Sequence, residues 1–362
     1  MTLPTLAERL CGEIALNHQV MIAINELVIA VHSNSDRLIE KLHIYFRPLI
    51  VGATSADTTI KAIDGAIDLS DLPWMDWPRE AGKSGRKEAY IDGDGFRLVR
   101  KIKTGVCILQ TQHEAIIRGA CTDNDNQVIN VINSQYLTDR QQRGDQLCHA
   151  AACQYGDRAV AFAGLSGGGK STLMLHCLND PELLYLSNDR LLIDSSADQP
   201  IARGIPKLPR VNPGTILNDT NLRAMLTEEQ RQHYDSVPIS ELWDLEDKFD
   251  VMVDQIYGEN RLSAQGTLKL LFILNWKRSS EEPTIVTKIQ IDERKDLLSA
   301  VMKSPGPFYI EPDGQPVAPQ MPLKPDAYIR ALELVDVYEI SGAVDFQRAQ
   351  SHVLQLLKAD NA

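Results

Sequence analysis

The sequence lacks two features that would assign it to common classes of binding protein. It has no surplus of positive charge, since 37 Lys and Arg stand against 49 Asp and Glu, for a net charge of −12. Nucleic-acid binders and anionic-membrane binders need such a surplus to neutralise phosphates, so neither partner is expected. It also lacks a long apolar run. The most apolar early segment, Val20 to Val31, is interrupted by Asn25 and Glu26 and cannot span a bilayer.

Closely paired cysteines are missing as well. No two of the six cysteines form a C-x-x-C pair, so neither a zinc site nor a disulfide framework is predicted. The first residues carry Glu8 and Arg9 where a secretory signal would need an unbroken apolar stretch. We therefore expect a soluble cytoplasmic protein with reduced thiols. The cysteines are Cys11, Cys107, Cys121, Cys148, Cys153 and Cys177.

The first third of the chain contains helical and strand patterns but no motif that indicates a chemistry. We expect residues 1–125 to form an α/β accessory or oligomerisation domain. Its predicted elements are a helix over 5–16, a hairpin over 20–30, a helix over 36–46, a loop over 72–87 and strands over 96–118.

The remaining residues, 126–362, interleave strand and helix patterns, which is typical of an α/β domain with a central sheet. Strands are predicted over 147–154, 158–163, 183–186, 190–193, 268–276, 284–291 and 335–340. Helices are predicted over 126–142, 171–178, 240–257, 294–302 and 346–357.

One loop in this second domain indicates nucleotide binding. A strand pattern ending at Ala163 leads into a segment that matches G-x-x-x-x-G-K-[ST] and precedes a helix pattern. Glycines let backbone N–H groups turn towards phosphates, and the helix N-terminus adds its positive dipole end. Lys170 is expected to reach the β- and γ-phosphates, Ser171 to ligate Mg²⁺, and Thr172 to touch the α-phosphate. The predicted ATP-binding residues are Gly164, Ser166, Gly167, Gly168, Gly169, Lys170, Ser171 and Thr172.

This loop, G-x-S-G-x-G-K-S, resembles that of HPr kinase/phosphorylase and its relatives, and also that of ATP-dependent phosphoenolpyruvate carboxykinase. Further resemblances favour the first family. Asn188 and Asp189 follow an apolar strand where the family has an Asp-Asp pair, and residues 201–205 (IARGI) resemble its L-E-[IV]-R-G-[IL] signature. His149, fifteen residues before Gly164, lies where the family has an active-site histidine.

The resemblance implies a fold, roles for residues and departures from the family pattern. It implies a P-loop kinase core of the HPr kinase/phosphoenolpyruvate carboxykinase type in a homo-oligomer. Asp189 would hold Mg²⁺ together with Ser171, and the catalytic group would comprise Lys170, Asn188, Asp189, His149 and Arg203. Asn188 replaces the carboxylate that takes the substrate's proton, and Ile201 replaces a metal-associated glutamate.

Several residues have a second interpretation. Arg203 is a candidate phosphate contact or a structural ion pair, and His149 a catalytic group or a hydrogen-bonded core residue. The proline-rich segment 203–214 is either a stiff loop presenting Lys207 and Arg210 to a phosphate or acidic substrate, or a solvated loop. In the predicted helix over 240–257 the acidic residues form either a solvated face or a source of a replacement base or metal ligand, Glu246 or Asp247.

The sequence therefore predicts an ATP- and Mg²⁺-dependent kinase that transfers the γ-phosphoryl group to a hydroxyl, most plausibly a serine of a protein or peptide. Two alternatives stay open. Asn188 favours a non-catalytic ATP sensor, and the loop is also compatible with a small-molecule kinase or a carboxykinase-like enzyme.

Overall fold

The computed structural model describes residues 2–52, 55–79, 85–165, 167–242, 245 and 247–359, with the backbone alone at 239 and 240. The chain divides into two compact units. Unit one comprises Met1–Arg143 and Ser304–Pro322, and unit two comprises Gly144–Lys303 and Leu323–Ala362. Both units combine helices with sheets, so the α/β class expected from the sequence is confirmed.

Unit one is built on a mixed sheet with three α-helices among its described residues. The strands are β1 (His18–Ile24), β2 (Leu27–Ser33), β3 (Thr58–Asp64), β4 (Met75–Asp76), β5 (Glu88–Gly93), β6 (Phe96–Lys101), β7 (Cys107–Gln110) and β8 (Glu114–Gly119). They lie in the order β1-β2-β3-β8-β7-β6-β5-β4. The helices are α1 (Leu3–Cys11), α2 (Asp36–Tyr45) and α3 (Asp125–Gln142).

Local signals in unit one led to the observed elements. The predicted hairpin is β1 and β2, which pair antiparallel through a turn where Asn25 has a positive φ of 51°. Helix α2 begins after Ser35, whose side chain accepts a hydrogen bond from the Leu38 N–H at 3.2 Å, as an N-cap does. The predicted loop over 72–87 contains the short strand β4, and its residues 80–84 lie outside the described part.

The two units differ from the domain bounds expected from the sequence. Helix α3 was assigned to the second domain, but it belongs to unit one, where Asn25 donates a hydrogen bond to the Tyr136 hydroxyl at 2.5 Å. Segment Ser304–Pro322 also returns to unit one, where the buried Arg97 donates to the Val317 carbonyl at 2.7 Å. A single boundary along the sequence cannot describe unit one, because this unit consists of two separate ranges of the chain.

Unit two is also built on a mixed sheet. Its strands are β9 (Gln146–Cys148), β10 (Ala150–Tyr155), β11 (Arg158–Gly164), β12 (Leu183–Ser187), β13 (Leu191–Asp194), β14 (Ile201–Arg203), β15 (Arg210–Val211), β16 (Phe249–Asp250), β17 (Gln265–Leu274), β18 (Ile285–Ile289) and β19 (Asp336–Ser341). Its α-helices are α4 (Lys170–Leu178), α5 (Pro213–Leu217), α6 (Glu228–Asp235), α7 (Ile239–Leu242), α8 (Val253–Tyr257), α9 (Pro325–Ala331) and α10 (Phe346–Lys358).

The centre of this sheet is the parallel pair β11 and β17, which end together at Gly164 and Leu274. The order is β12-β10-β11-β17-β14-β13-β9, and β19 extends it by pairing parallel with the second half of β17. Strands β15 and β16 form a separate ribbon. The carboxyl end of β11 is therefore held from both sides, which fixes where the next loop starts.

Alternation along β11 places side chains in two hydrophobic cores. Val160 and Phe162 pack with residues of α4 and α10, whereas Ala159, Ala161 and Ala163 pack on the opposite face of the sheet. The core on the first face attaches α4 directly to the strand that precedes it.

Three predicted elements of unit two were wrong in extent or type. The helix over 240–257 is instead α7, β16 and α8, because Val211 and Phe249 pair across β15 and β16 and this pairing overrides the helical spacing. The strand over 147–154 is interrupted at His149, and the helix over 294–302 is a short 3₁₀ segment, Lys295–Ala300. Over the residues that are described, no helix has both the length and the hydrophobicity needed to cross a membrane.

Candidate functional site

The loop between β11 and α4 has the shape that its glycines allow. Helix α4 begins at Lys170, after Gly169 with a φ of 88°, and Gly167 has a φ of 78°. Residues with a Cβ rarely adopt this left-handed conformation, so both glycines are required by the turn. Ser166, the remaining predicted residue of this loop, lies outside the described residues.

Lys170 is buried, with 8% of its surface exposed, and its ammonium lies against the loop itself. Its Nζ donates to the carbonyl oxygens of Gly164 at 2.8 Å and Leu165 at 3.3 Å. A buried ammonium needs such acceptors, and an anion inside the loop would offer it stronger ones.

Trp276 and Phe346 support the loop, and neither was predicted. The indole Nε1 of Trp276 donates to the Gly168 carbonyl at 2.9 Å, and the ring meets Phe346 edge to face at 5.0 Å. A Cβ added to Gly169 would lie 2.8 Å from the Phe346 ring. These residues follow β17 and begin α10, more than 100 positions from the loop, and the sequence carries no local signal for the contact.

Ser171 and Asn188 are brought together directly. The Ser171 hydroxyl donates to Asn188 Oδ1 at 2.6 Å, and Asn188 has only 8% of its surface exposed. A serine hydroxyl that donates its proton in this way keeps its oxygen lone pairs for another partner. Asn188 thus orients Ser171 through this hydrogen bond. Beside Ser171, Thr172 is buried and shares a hydrogen bond with Thr215 at 3.0 Å.

Asp189 is a carboxylate that three basic side chains approach. Its side chain is half-exposed and its backbone has a positive φ of 68°. His149 Nε2 lies 3.3 Å from Oδ1, and Lys303 Nζ lies 3.3 Å from Oδ2. Arg190 Nε is further away, at 4.0 Å from Oδ2.

These neighbours determine the charge of Asp189. Burial raises the pKa of this carboxyl, but the hydrogen bond from His149 and the positive charge of Lys303 act in the opposite direction and are stronger. The pKa of Asp189 is consequently held well below its usual range, so the group is ionised at neutral pH.

His149 occupies the break between β9 and β10, where its backbone N–H donates to the Val301 carbonyl at 2.7 Å. The hydrogen bond to Asp189 raises the pKa of its imidazole. Burial and the charges of Lys303 and Lys170 lower this pKa by a larger amount, so the net shift is downward. A neutral imidazole at neutral pH follows, with Nε2 donating to Asp189.

Lys303 and Arg190 were not predicted, and Lys207 was predicted only as one of two alternatives. Lys303 lies 114 positions after Asp189 and has no motif around it. Burial, followed by the charge of Arg190, lowers the pKa of the Lys207 ammonium to about 8. The charge of Asp189 raises the pKa of Lys207, and those of Arg210 and Lys303 lower it.

Arg203 makes ion pairs away from the loop. On β14 its Nη2 lies 2.9 Å from Asp194 and its Nε 3.6 Å from Asp145, and it also donates to Gln265. None of these partners belongs to the loop or to the surroundings of Asp189. Of the two interpretations of Arg203, these contacts favour the structural ion pair.

The two candidate bases of the acidic segment 240–257 are Glu246 and Asp247, and the structure describes only Asp247. Asp247 accepts a hydrogen bond from the Tyr234 hydroxyl, next to the helix α6 that carries this tyrosine. Glu246 lies outside the described residues.

The residues around the loop fit a magnesium ion better than a transition metal. Among the described residues, no three His, Cys, Asp or Glu side chains converge into a metal-binding group. Mg²⁺ does not require one, since it commonly takes one or two protein oxygens together with phosphate oxygens and water. The ionised Asp189 carboxylate and the Ser171 hydroxyl offer oxygens of this kind.

No family model matches the chain, and no curated protein matches it. A solved structure, the HPr(Ser) kinase/phosphatase from Coxiella burnetii, is a distant structural neighbour with 12% sequence identity and a TM-score of 0.28. The match covers 59% of this chain and 87% of that chain. A likeness at this TM-score does not assign the chain to that family.

Proposed function

We propose that this chain is an ATP- and Mg²⁺-dependent kinase that transfers the γ-phosphoryl group to a serine hydroxyl of a protein or peptide. One observation carries the proposal. The glycine loop ends in the buried Lys170 at the start of α4, and the next residue, Ser171, is hydrogen-bonded to Asn188 beside the ionised Asp189.

In this proposal the loop and Lys170 bind the phosphates. Lys170 would exchange its two carbonyl acceptors for β- and γ-phosphate oxygens, which form stronger, charge-assisted hydrogen bonds. The start of α4 adds its backbone N–H groups and dipole. A Mg²⁺ ion held by Ser171 and Asp189 would neutralise phosphate charge. Catalysis of this kind depends mainly on positioning and charge stabilisation.

The transfer needs an acceptor for the proton of the attacking hydroxyl. The γ-phosphorus bonds to the acceptor oxygen as its bond to the bridging oxygen breaks, and the hydroxyl proton must leave. Asn188 cannot take it, because an amide is not basic at neutral pH. The neutral His149 is the group that can. A loose transition state tolerates a weak base.

Lys170→Ala tests the nucleotide site. Because one charge-assisted contact is lost, we expect Mg-ATP to bind about 10- to 100-fold more weakly, as measured by calorimetry. Lys288→Ala, which removes an exposed cation paired with Asp336, is the matched control and should bind like wild type. An affinity of Lys170→Ala within threefold of wild type means that the loop is not the site.

Transfer is tested with γ-labelled ATP and a lysate of the source cell separated into protein and small-molecule fractions. Label in the protein fraction supports the serine kinase, and label in the small-molecule fraction indicates a metabolite kinase. Tight Mg-ATP binding with no label in either fraction favours the second candidate, an ATP sensor. The amide of Asn188 in a place suited to a carboxylate is the observation that favours the sensor.

For unit one we propose an accessory or oligomerisation role. Light scattering on the full chain and on a variant altered on the surface of unit one tests it. A homo-oligomer that persists in every such variant would contradict this role.

A further inference from the structure

Trp276 is held in place by the sheet of unit two. It follows β17, and its neighbours Asn275 and Lys277 donate backbone hydrogen bonds to the carbonyls of Ile340 and Gly342, each at 2.8 Å. The side chain has 8% of its surface exposed and belongs to the hydrophobic core that also contains residues of α4. The position of its indole N–H is therefore set by the sheet.

Phe346 restricts the orientation of the indole ring. It is the first residue of α10, which Asp345 caps by accepting a hydrogen bond from the Arg348 N–H at 2.9 Å. The Phe346 ring meets Trp276 edge to face at 5.0 Å and lies nearly parallel to the His176 ring of α4 at 5.5 Å. The chain after β17, the start of α10 and helix α4 thus meet at this ring, and together they fix the direction of the indole N–H.

The indole N–H holds one peptide group of the glycine loop. Trp276 Nε1 donates to the Gly168 carbonyl at 2.9 Å. A trans peptide is planar with its C=O and N–H on opposite sides, so the Gly169 N–H of the same peptide is directed away from Trp276. Gly169 immediately precedes α4, and the first N–H groups of a helix have no acceptor within it and attract anions. The hydrogen bond from Trp276 therefore determines where the Gly169 N–H points.

The peptide between Gly168 and Gly169 is otherwise weakly constrained. Glycine on both sides leaves no Cβ to oppose its rotation, and Gly169 has a φ of 88°, which glycine exchanges readily for a negative value. The hydrogen bond from the Gly168 N–H to the Leu165 carbonyl, at 2.9 Å, holds the preceding peptide and not this one. Rotation by half a turn would put the Gly168 carbonyl oxygen where the N–H had been, and its partial negative charge would repel a phosphate.

Resting on the proposed function, we infer that Trp276 is a positioning residue of the nucleotide site. Its indole N–H holds the peptide between Gly168 and Gly169 in the orientation that turns the Gly169 N–H towards the nucleotide phosphates. Trp276 acts on the phosphates through the loop and does not touch the nucleotide. If Trp276 served only to fill the core, loss of its N–H would change the stability of the fold but not the affinity for nucleotide.

Trp276→Phe tests this role, because it removes the N–H and keeps an aromatic ring beside Phe346. Trp74→Phe is the matched control. In unit one, Trp74 Nε1 donates to the Leu69 carbonyl at 2.8 Å, so the same substitution removes the same kind of hydrogen bond. Both variants should have a lower urea midpoint than wild type. In calorimetric titrations Mg-ATP should bind about three- to tenfold more weakly to Trp276→Phe, as the loss of one hydrogen bond implies, and like wild type to Trp74→Phe.

A second measurement does not require Trp276→Phe to fold. In protein labelled with ¹⁵N-tryptophan, the indole signal of Trp276 is the one that persists when Trp74, Trp77 and Trp243 are replaced by Phe one at a time. A phosphate bound to the Gly169 N–H polarises the peptide and strengthens the hydrogen bond that its carbonyl accepts. Saturation with Mg-ADP should therefore move the Trp276 indole proton signal downfield, and the Trp74 signal should stay where it is.

Each outcome supports or overturns the positioning role of Trp276. An unchanged Mg-ATP affinity in Trp276→Phe overturns it, as does equal weakening in Trp74→Phe, and so does a Trp276 indole signal that Mg-ADP leaves in place. These results leave the kinase proposal standing, because Lys170→Ala tests that site separately. If wild type binds Mg-ATP but transfers no label, the kinase proposal fails and the role of Trp276 is retained. If wild type binds no nucleotide, both fail.

Discussion

Asn188→Asp is the substitution that best separates a kinase from a sensor. Asn188 is nearly buried, its Oδ1 accepts the Ser171 hydroxyl at 2.6 Å, and Asp189 follows it in the chain. Aspartate is the same size and keeps an acceptor for Ser171. It replaces the amide NH₂ with a second oxygen that can accept a proton. The change therefore tests the missing base with little alteration of shape.

The expected gain follows from the chemistry of the new group. A positioned general base contributes about 10²- to 10⁴-fold, which lowers the barrier by about 3–5 kcal/mol. The hydrogen bond from Ser171 would strengthen from about 1 to about 2 kcal/mol, since its acceptor becomes charged. Burial and the nearby Asp189 would raise the pKa of the new carboxyl and bring it closer to the range of an effective base.

The assay is steady-state ATP hydrolysis with water as acceptor. We expect Mg²⁺-dependent hydrolysis by Asn188→Asp to rise from background by about 10²- to 10⁴-fold, and to disappear when Lys170→Ala is added. Asn188→Ala is the control, since it removes the acceptor of Ser171 without adding a base, and should bind Mg-ATP about tenfold more weakly.

The reasoning is refuted by an Asn188→Asp variant that binds Mg-ATP like wild type and hydrolyses it no faster. Asn188 would then not stand where a base acts, and His149 would be the group to examine. A large fall in Mg-ATP affinity would instead indicate repulsion between the new carboxylate and the γ-phosphate.

Three further predictions concern residues around the same loop. Asp189→Asn should weaken ATP binding with Mg²⁺ but not without it, in paired calorimetric titrations, and an equal loss in both would contradict a metal role. Gly169→Ala should lower the free energy of unfolding by about 1–3 kcal/mol in urea titrations, because it forces a φ of 88° on alanine and brings its Cβ to 2.8 Å from Phe346. Arg203→Met should lower the melting temperature while leaving Mg-ATP affinity unchanged, which a phosphate contact would not allow. Burial raises the pKa of Asp194, but hydrogen bonds, including one from Arg203, lower it to about 2. A depressed carboxyl pKa stabilises the fold above about pH 4, and this contribution is lost as the pH falls towards 2. The urea midpoint should therefore fall less steeply over this range in Arg203→Met than in wild type.

Secondary structure could be predicted from the sequence where the signal was local. The hairpin of β1 and β2, the capped helix α2 and the strand, loop and helix around Gly169 all depend on residues within a few positions of one another. The prediction failed over 240–257, where Phe249, one of the apolar residues at helical spacing, belongs instead to a ribbon formed with Val211. Periodicity cannot detect a partner strand nearly 40 positions away.

The sequence by itself determined the glycine loop and the start of helix α4 at Lys170. Glycine torsions and the start of a helix are properties of short segments, so a motif can specify them. Only the tertiary structure decided which residues surround Asp189. It brought Lys303 to this carboxylate and Trp276 to the loop, each across more than 100 positions. It also paired Arg203 with Asp194, away from the loop. Such contacts depend on how strands and helices pack, which no local pattern in this sequence records.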